Sequence, residues 1–154
     1  MALSSFPSHD RGEYGDKKST LQRWCDNFKK LDPNTQARLT VENDDKANMF
    51  SVKELYEGIY KEVGVPVVFD YFHHKFCTGG LSEEEALKLA ISTWPNEITP
   101  LTHYSESRQK EKLDESIKQT AHSDYIKGVV NNYGYRIDVD VEAKQKELAI
   151  LNYL

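Results

Sequence analysis

Apolar positions along this chain switch repeatedly between a helical and an extended period. Leu21, Trp24, Phe28 and Leu31 recur at helical spacing from about Lys17, and Asp32-Pro33-Asn34 closes that run. Arg38-Leu-Thr-Val-Glu42 then reads as a strand, and Asn43-Asp-Asp-Lys46 as a loop. Ser51-Val-Lys-Glu54 has the form of a capping box. The helix it opens buries Val52, Leu55, Ile59 and Val63, and Gly64 stops it. Val65-Pro-Val-Val-Phe-Asp70 is apolar on both faces, as a buried parallel strand should be.

After Thr78-Gly-Gly80 the pattern repeats. Ser82-Glu-Glu-Glu85 caps a helix that runs to Trp94, and Glu97 to His103 predicts a short strand. Ser105 to Gln119 is charged and poor in apolar residues, which predicts a long loop. A helix from about His122 to Asn131, a strand from Tyr135 to Val141 and a helix from Glu142 to Leu154 complete the reading. Strands and helices alternating at roughly 30-residue spacing imply βαβ units on a parallel sheet. Four clear strands, with a degenerate fifth before His9, make about half of a (β/α)8 TIM barrel. The expectation is a single α/β domain over residues 1–154, a partial barrel of four to five βα units.

In such a barrel the chemistry sits where the strands end. The predicted strand ends carry Glu42, Asp70 (with His73 and His74 just beyond), His103 and Glu142. His9 precedes the first helix, and His122 follows the long loop. All five histidines of the chain belong to this set. Each residue alone has an ordinary alternative, as a helix cap for the acids or a surface side chain for the imidazoles. Two adjacent histidines on an extended chain cannot both face one ion, so one of His73 and His74 packs or supports the other. Together, imidazoles mixed with carboxylates form a ligand set for Zn2+, Mn2+ or Fe2+. So many ligands suggest two or three ions in one cleft, which favours phosphoryl-transfer hydrolysis.

Composition changes this picture only slightly. With 154 residues, 38% apolar and 29% charged, the chain suits one globular core. Its net charge of −5 argues against nucleic acid as a partner. That objection weakens if the carboxylates hold cations, because bound ions reverse the local field. Cys25 and Cys77 lack CxxC spacing and read as idle buried thiols. No apolar run approaches the roughly 20 residues of a bilayer span, and residues 1–8 lack a signal peptide's charged and apolar regions. The expected location is the cytoplasm, or the nucleus in a eukaryote. GxGxxG, GxxxxGK[ST] and GxSxG are absent, and the histidine pair lacks HExxH spacing.

At these same residues the chain resembles the UV-damage endonuclease family. His9-Asp-Arg-Gly-Glu-Tyr-Gly-Asp-Lys17 is similar to the family's H-x-G-G-x-Y-G-D-K segment. Leu39-Thr-Val-Glu-Asn-Asp-Asp-Lys46 is similar to its L-x-L-E-N-D-D-K, and Pro66-Val-Val-Phe-Asp-Tyr-Phe-His-His74 to its P-x-V-F-D-Y-H-H-H. His103-Tyr-Ser-Glu-Ser107, Ala121-His-Ser-Asp-Tyr-Ile126 and Glu142-Ala-Lys-Gln-Lys-Glu147 follow in the family's order.

The resemblance implies the last part of a TIM barrel that acts on damaged double-stranded DNA. It implies metal-dependent incision immediately 5′ of cyclobutane dimers and 6-4 photoproducts, leaving a 3′-hydroxyl. Divalent ions, Mn2+ at two or three sites, would be held by His9, Glu42, Asp70, His73, His103, His122 and Glu142, with Glu42, Asp70 and Glu142 central to catalysis. Asn43, Asp44, Asp45 and His74 would orient those ligands, and Lys17, Lys18, Arg108, Lys110 and Lys112 would meet DNA phosphates.

The sequence also departs from the family. Its first strands, with an H-P-G-Q-Y-type motif, have no counterpart in this chain. Phe72 stands where a third histidine often stands, Leu101 where a bridging lysine stands, and Arg11 where a glycine stands. A partial barrel leaves sheet edges open, so the expectation is self-association, pairing with an N-terminal half-barrel, or marginal stability. Two other readings are a related metal-barrel enzyme, of the apurinic-site endonuclease or sugar isomerase type, and a remnant that binds metal or DNA without turnover.

Overall fold

The structure, a computed structural model, describes residues 16–154. Asp16 opens α1 (Lys17–Phe28) by accepting from the N–H groups of Lys18 and Ser19. Asp32 and Pro33 start the single turn α2 (Pro33–Gln36). β1 (Val41–Glu42) follows. Ser51 and Glu54 form the expected capping box at α3 (Val52–Leu55). The helix widens into a π-type turn at Tyr56–Tyr60 and ends as α4 (Lys61–Val63) at left-handed Gly64. The widened turn lies against α1, where a Cβ on Gly58 would stand 2.5 Å from Leu21 Cδ1. β2 (Val67–Asp70) is buried at every position. Its chain turns at once into α5 (Tyr71–His74), then reaches α6 (Glu83–Ile91) through the second capping box, Ser82 and Glu85. β3 (Leu101–Tyr104), α7 (Arg108–Lys112), β4 (Asp138–Val141) and α8 (Glu147–Tyr153) complete the described elements.

The four strands form one sheet in sequential order, and each pairs parallel with the next. This is the expected α/β architecture. Parallel neighbours require crossovers, and helices α3–α4 and α5–α6 supply the first two. Leu21, Cys25 and Phe28 from α1 join Val52, Leu55, Ile59, Val67, Phe69 and Leu87 in the core between sheet and helices. Both cysteines are buried and unbridged. No helix among the described residues is long and apolar enough to cross a membrane.

Two expectations between β3 and β4 are corrected. The long loop contains α7, capped by Ser107, which accepts from Lys110 N–H. The segment from His122 to Asn131 is not a helix, because other groups take its backbone donors. Ser123 N–H bonds to the Glu106 carbonyl, the Glu111 carboxylate takes the N–H groups of Asp124 and Tyr125, and the Glu106 carboxylate takes those of Lys127 and Gly128. The first N–H groups of a helix have no i→i−4 partner in any case, but those of Lys127 and Gly128 would need one and are already engaged by Glu106.

Candidate metal centre

Strand register brings the acids together at the carboxyl end of the sheet. Asp70 of β2 pairs with His103 of β3, so both side chains leave the same face. The next rung between β1 and β2 is made by a side chain. Asn43 Nδ2 donates to the Asp70 carbonyl at 3.0 Å, and Asp70 N–H donates to Asn43 Oδ1 at 2.9 Å. Both residues are buried, so this amide fixes the end of β2 beside the end of β1, where Glu42 sits. Asp70 Oδ1 then accepts from the N–H groups of Phe72 and His73, each at 2.7 Å. That cap starts α5 and swings His73 over the cleft.

Glu42, Asp70 and His103 each offer a ligand atom within 4.8 Å of the others. Glu42 Oε1, Asp70 Oδ2 and His103 Nδ1 are buried and have no hydrogen-bond partner among the described residues. Buried polar atoms are normally paired. His103 Nδ1 stands 3.2 Å from Glu42 Oε2 and His73 Nδ1 stands 3.1 Å from Glu42 Oε1, without satisfying those atoms. Three orphaned donor atoms of oxygen and imidazole type in one pocket fit a divalent cation, whose bonds to such ligands are about 2.0–2.2 Å long.

Two further expected ligands border the cluster. Glu142 is 38% exposed and lies between imidazoles, 3.7 Å from His103 and 3.6 Å from His122. His73 Nδ1 lies 2.9 Å from the Asn43 carbonyl. A carbonyl only accepts, so that bond keeps a proton on Nδ1, and Nε2 is the nitrogen a cation would take by displacing its proton. The His73 and His122 ring centroids are 6.1 Å apart. His9 lies outside the described residues.

The electrostatics suit a site short of positive charge. Burial disfavours ionised Glu42, but the imidazoles of His103 and His73 beside it outweigh burial and hold its carboxyl well below the usual range. Asp70 goes the other way. Burial, reinforced by the Glu42 charge, pushes it up to about 7 against the pull of His73 and its backbone donors. Burial opposes the charged form of His73 too, yet Glu42 and Asp70 lift it to about 9, and Glu42 likewise raises His103. Burial lowers His122 despite nearby Glu142.

The residues expected to support the ligands diverge. Asn43 spans the two strand ends as described. Asp44 stays in its loop, where its N–H donates to the Phe50 carbonyl and its carboxylate accepts from Lys46 N–H. Burial and neighbouring Asp45 raise its pKa. His74 turns away from the cleft. It is buried with its ring 5.4 Å from Phe69, so α5 sends the two adjacent imidazoles to opposite sides. Phe72 is also buried, with its ring edge-on to His122 at 5.7 Å. Leu101 lies two positions before His103 on the same strand face and lines a cavity with Thr40, Pro66, Trp94 and Asp138 at the opposite end of the sheet.

Several of the expected DNA-contacting cations have protein partners. Lys17 pairs with Glu54 at 2.6 Å, Lys112 with Asp124 at 2.7 Å, and Arg108 with Asp124 at 3.4 Å. Lys18 is on the first turn of α1. Lys110 lines a cavity of about 580 Å3 together with Phe72, Lys75, Phe76, Tyr104 and Lys127. Glu106 and Glu111, which organise the His122 segment, were not among the expected site residues. Their charged stretch reads as ordinary solvated surface, and their partners are backbone groups that leave no pattern in the sequence.

Fold and cleft together define a segment of a parallel (β/α) barrel whose carboxylates and imidazoles meet where the strands end. The UV-endonuclease UvdE family model matches residues 6–154, and the chain belongs to that family. It is 34% identical to a UV DNA damage endonuclease of Bacillus cereus (strain Q1), with all of this chain aligned to 49% of that protein. A UV DNA damage endonuclease of Bacillus anthracis (strain A0248) is 32% identical over the same shares. The crystal structure of SacUVDE superposes with a TM-score of 0.73 at 31% identity, covering 93% of this chain and 50% of that one. The chain thus spans about half the length of the curated relatives it matches.

Proposed function

We propose that residues 1–154 form the C-terminal, metal-binding portion of a DNA-repair endonuclease that incises the phosphodiester 5′ of UV photolesions. The observation that carries this reading is the set of three orphaned donor atoms on Glu42, Asp70 and His103 at the strand ends. In this reading Glu42, Asp70 and His103 hold the central cation, and His73, His122, Glu142 and His9 complete a cluster of two or three sites. When bound, such cations (Mn2+ by family resemblance) supply Lewis-acid charge to the scissile phosphate and raise the acidity of the attacking water.

The chain's own groups prepare that chemistry. Glu42 is held ionised by His103 and His73, so it presents a carboxylate without a proton to displace. Asp70 is fixed by two backbone donors at Oδ1, which leaves Oδ2 free to bind. The Asn43 carbonyl holds the His73 proton on Nδ1 and so orients Nε2 outward. Partly exposed Glu142, between His103 and His122, sits where a proton or a phosphate-bound ligand can be reached from solvent. Lys18 and Lys110 remain the candidate contacts to DNA phosphates.

The test incubates the chain and Mn2+ with end-labelled duplexes that are UV-irradiated, abasic or intact. A nick on the 5′ side of the photoproduct, in the irradiated duplex alone, is expected. Nicking of the abasic duplex alone would assign the chain to apurinic-site chemistry. Mn2+ binding without any nick would leave a metal-binding portion that does not turn over alone.

A further inference from the structure

The segment that carries His122 has no regular structure of its own. It is held from outside by the stretch that follows β3. Glu111, on α7, has a side chain only 8% exposed. Its Oε2 accepts from Asp124 N–H and its Oε1 from Tyr125 N–H, each at 3.0 Å. Burial works against this carboxylate, and the two backbone donors hold it below its ordinary pKa. Around it, Arg108 N–H donates to the Ala121 carbonyl, and Lys112 and Arg108 both pair with Asp124. On the far side, Lys144 N–H donates to the Ser123 carbonyl and Gln145 N–H to the Asp124 carbonyl. Those two bonds attach the stretch just after Glu142 to the stretch just after His122.

We infer that Glu111 is a positioning residue, whose carboxylate fixes the loop at residues 122–125 and so sets His122 beside Glu142 at the metal centre. The inference rests on the reading of His122 and Glu142 as ligands. Two backbone N–H groups bound side by side leave the loop little freedom. Without the carboxylate both donors lose their acceptor, and the loop shifts or opens until water replaces it. His122 moves with it. Glutamine at this position keeps one carbonyl oxygen and therefore one of the two bonds. Alanine keeps neither.

The test compares the parent chain with Glu111→Gln and Glu111→Ala, and uses Glu57→Gln, at an exposed pair with Lys61, as the control. Amide hydrogen exchange in EDTA reads the clamp, and Mn2+ titration followed by electron paramagnetic resonance reads the ligand. In Glu111→Ala the amides of Asp124 and Tyr125 should exchange at least ~10-fold faster while β2 and β3 keep their protection. Mn2+ affinity should fall ~10-fold or more, with Glu111→Gln intermediate and Glu57→Gln at the parent value. If the alanine variant loses its circular dichroism spectrum, the glutamine variant decides. Parent exchange rates at residues 124 and 125, or parent Mn2+ affinity in a parent chain that binds Mn2+, would overturn the positioning role alone. A parent chain that does not bind Mn2+, or a Glu42→Gln variant that binds it equally well, would overturn the metal reading and this role with it.

Discussion

Replacing Asp70 by asparagine should stabilise the metal-free protein while removing its capacity to bind a cation. The side chain is fully buried, with Oδ1 accepting two backbone N–H groups and Oδ2 accepting none. Asparagine keeps the Oδ1 acceptor and replaces the orphaned anionic oxygen with a neutral amide. The magnitude follows from linkage. In the unfolded chain this carboxyl ionises near its ordinary value of 3.8, and in the fold burial and Glu42 raise it to about 7. Between those pH values the native state holds the extra proton, so Asp70 costs stability increasingly as pH rises through the window. At ~1.36 kcal/mol per unit over about three units the cost reaches at most ~4 kcal/mol by about pH 8. The attraction of His73 for the ionised carboxyl is already contained in that value, so the gain from asparagine is bounded by the same ~4 kcal/mol. Urea denaturation in EDTA at about pH 4 and about pH 8 measures this; the chelator matters because a bound ion would stabilise only the parent. The two proteins should be nearly equal at the acid end, with Asp70→Asn clearly more stable at the alkaline end. A variant no more stable than the parent at about pH 8 would refute the reasoning.

Two further outcomes follow from the same structure. Asn43→Ala removes both side-chain bonds across the ends of β1 and β2 and strands the buried N–H and carbonyl of Asp70. It should cost about 2–4 kcal/mol, read as a lower urea midpoint at unchanged slope. The edges β1 and β4, unpaired among the described residues, with Val139 on β4 and Leu148, Leu151 and Tyr153 exposed on α8, should make the chain self-associate with rising concentration. Light scattering should show this, and Leu151→Glu should suppress it; a single monomeric mass at every concentration would contradict it.

How much could be read in advance depended on how local the cause was. The capping boxes at Ser51 and Ser82 act over three residues, and both appear where the sequence places them. The unbroken apolar run ending at Asp70 marks a strand buried on both faces, and β2 is one. The acids at the predicted strand ends come together because parallel register aligns such ends. Two features were not legible, and each depends on a distant partner. The His122 segment reads as a helix until Glu106 and Glu111 take its donors from 13 to 22 residues away. Lys112 and Arg108 resemble free cations until the fold brings Asp124 to them.

Whether Glu42, Asp70 and His103 share a cation is decided by anomalous diffraction from crystals of this chain soaked in Mn2+. A manganese peak should stand about 2.0–2.2 Å from Glu42 Oε1 or Oε2, Asp70 Oδ2 and a nitrogen of His103, and should be lost in Glu42→Gln. A soaked crystal with no manganese between these three side chains, or with the ion bound elsewhere while they hydrogen-bond to one another, would contradict the shared site.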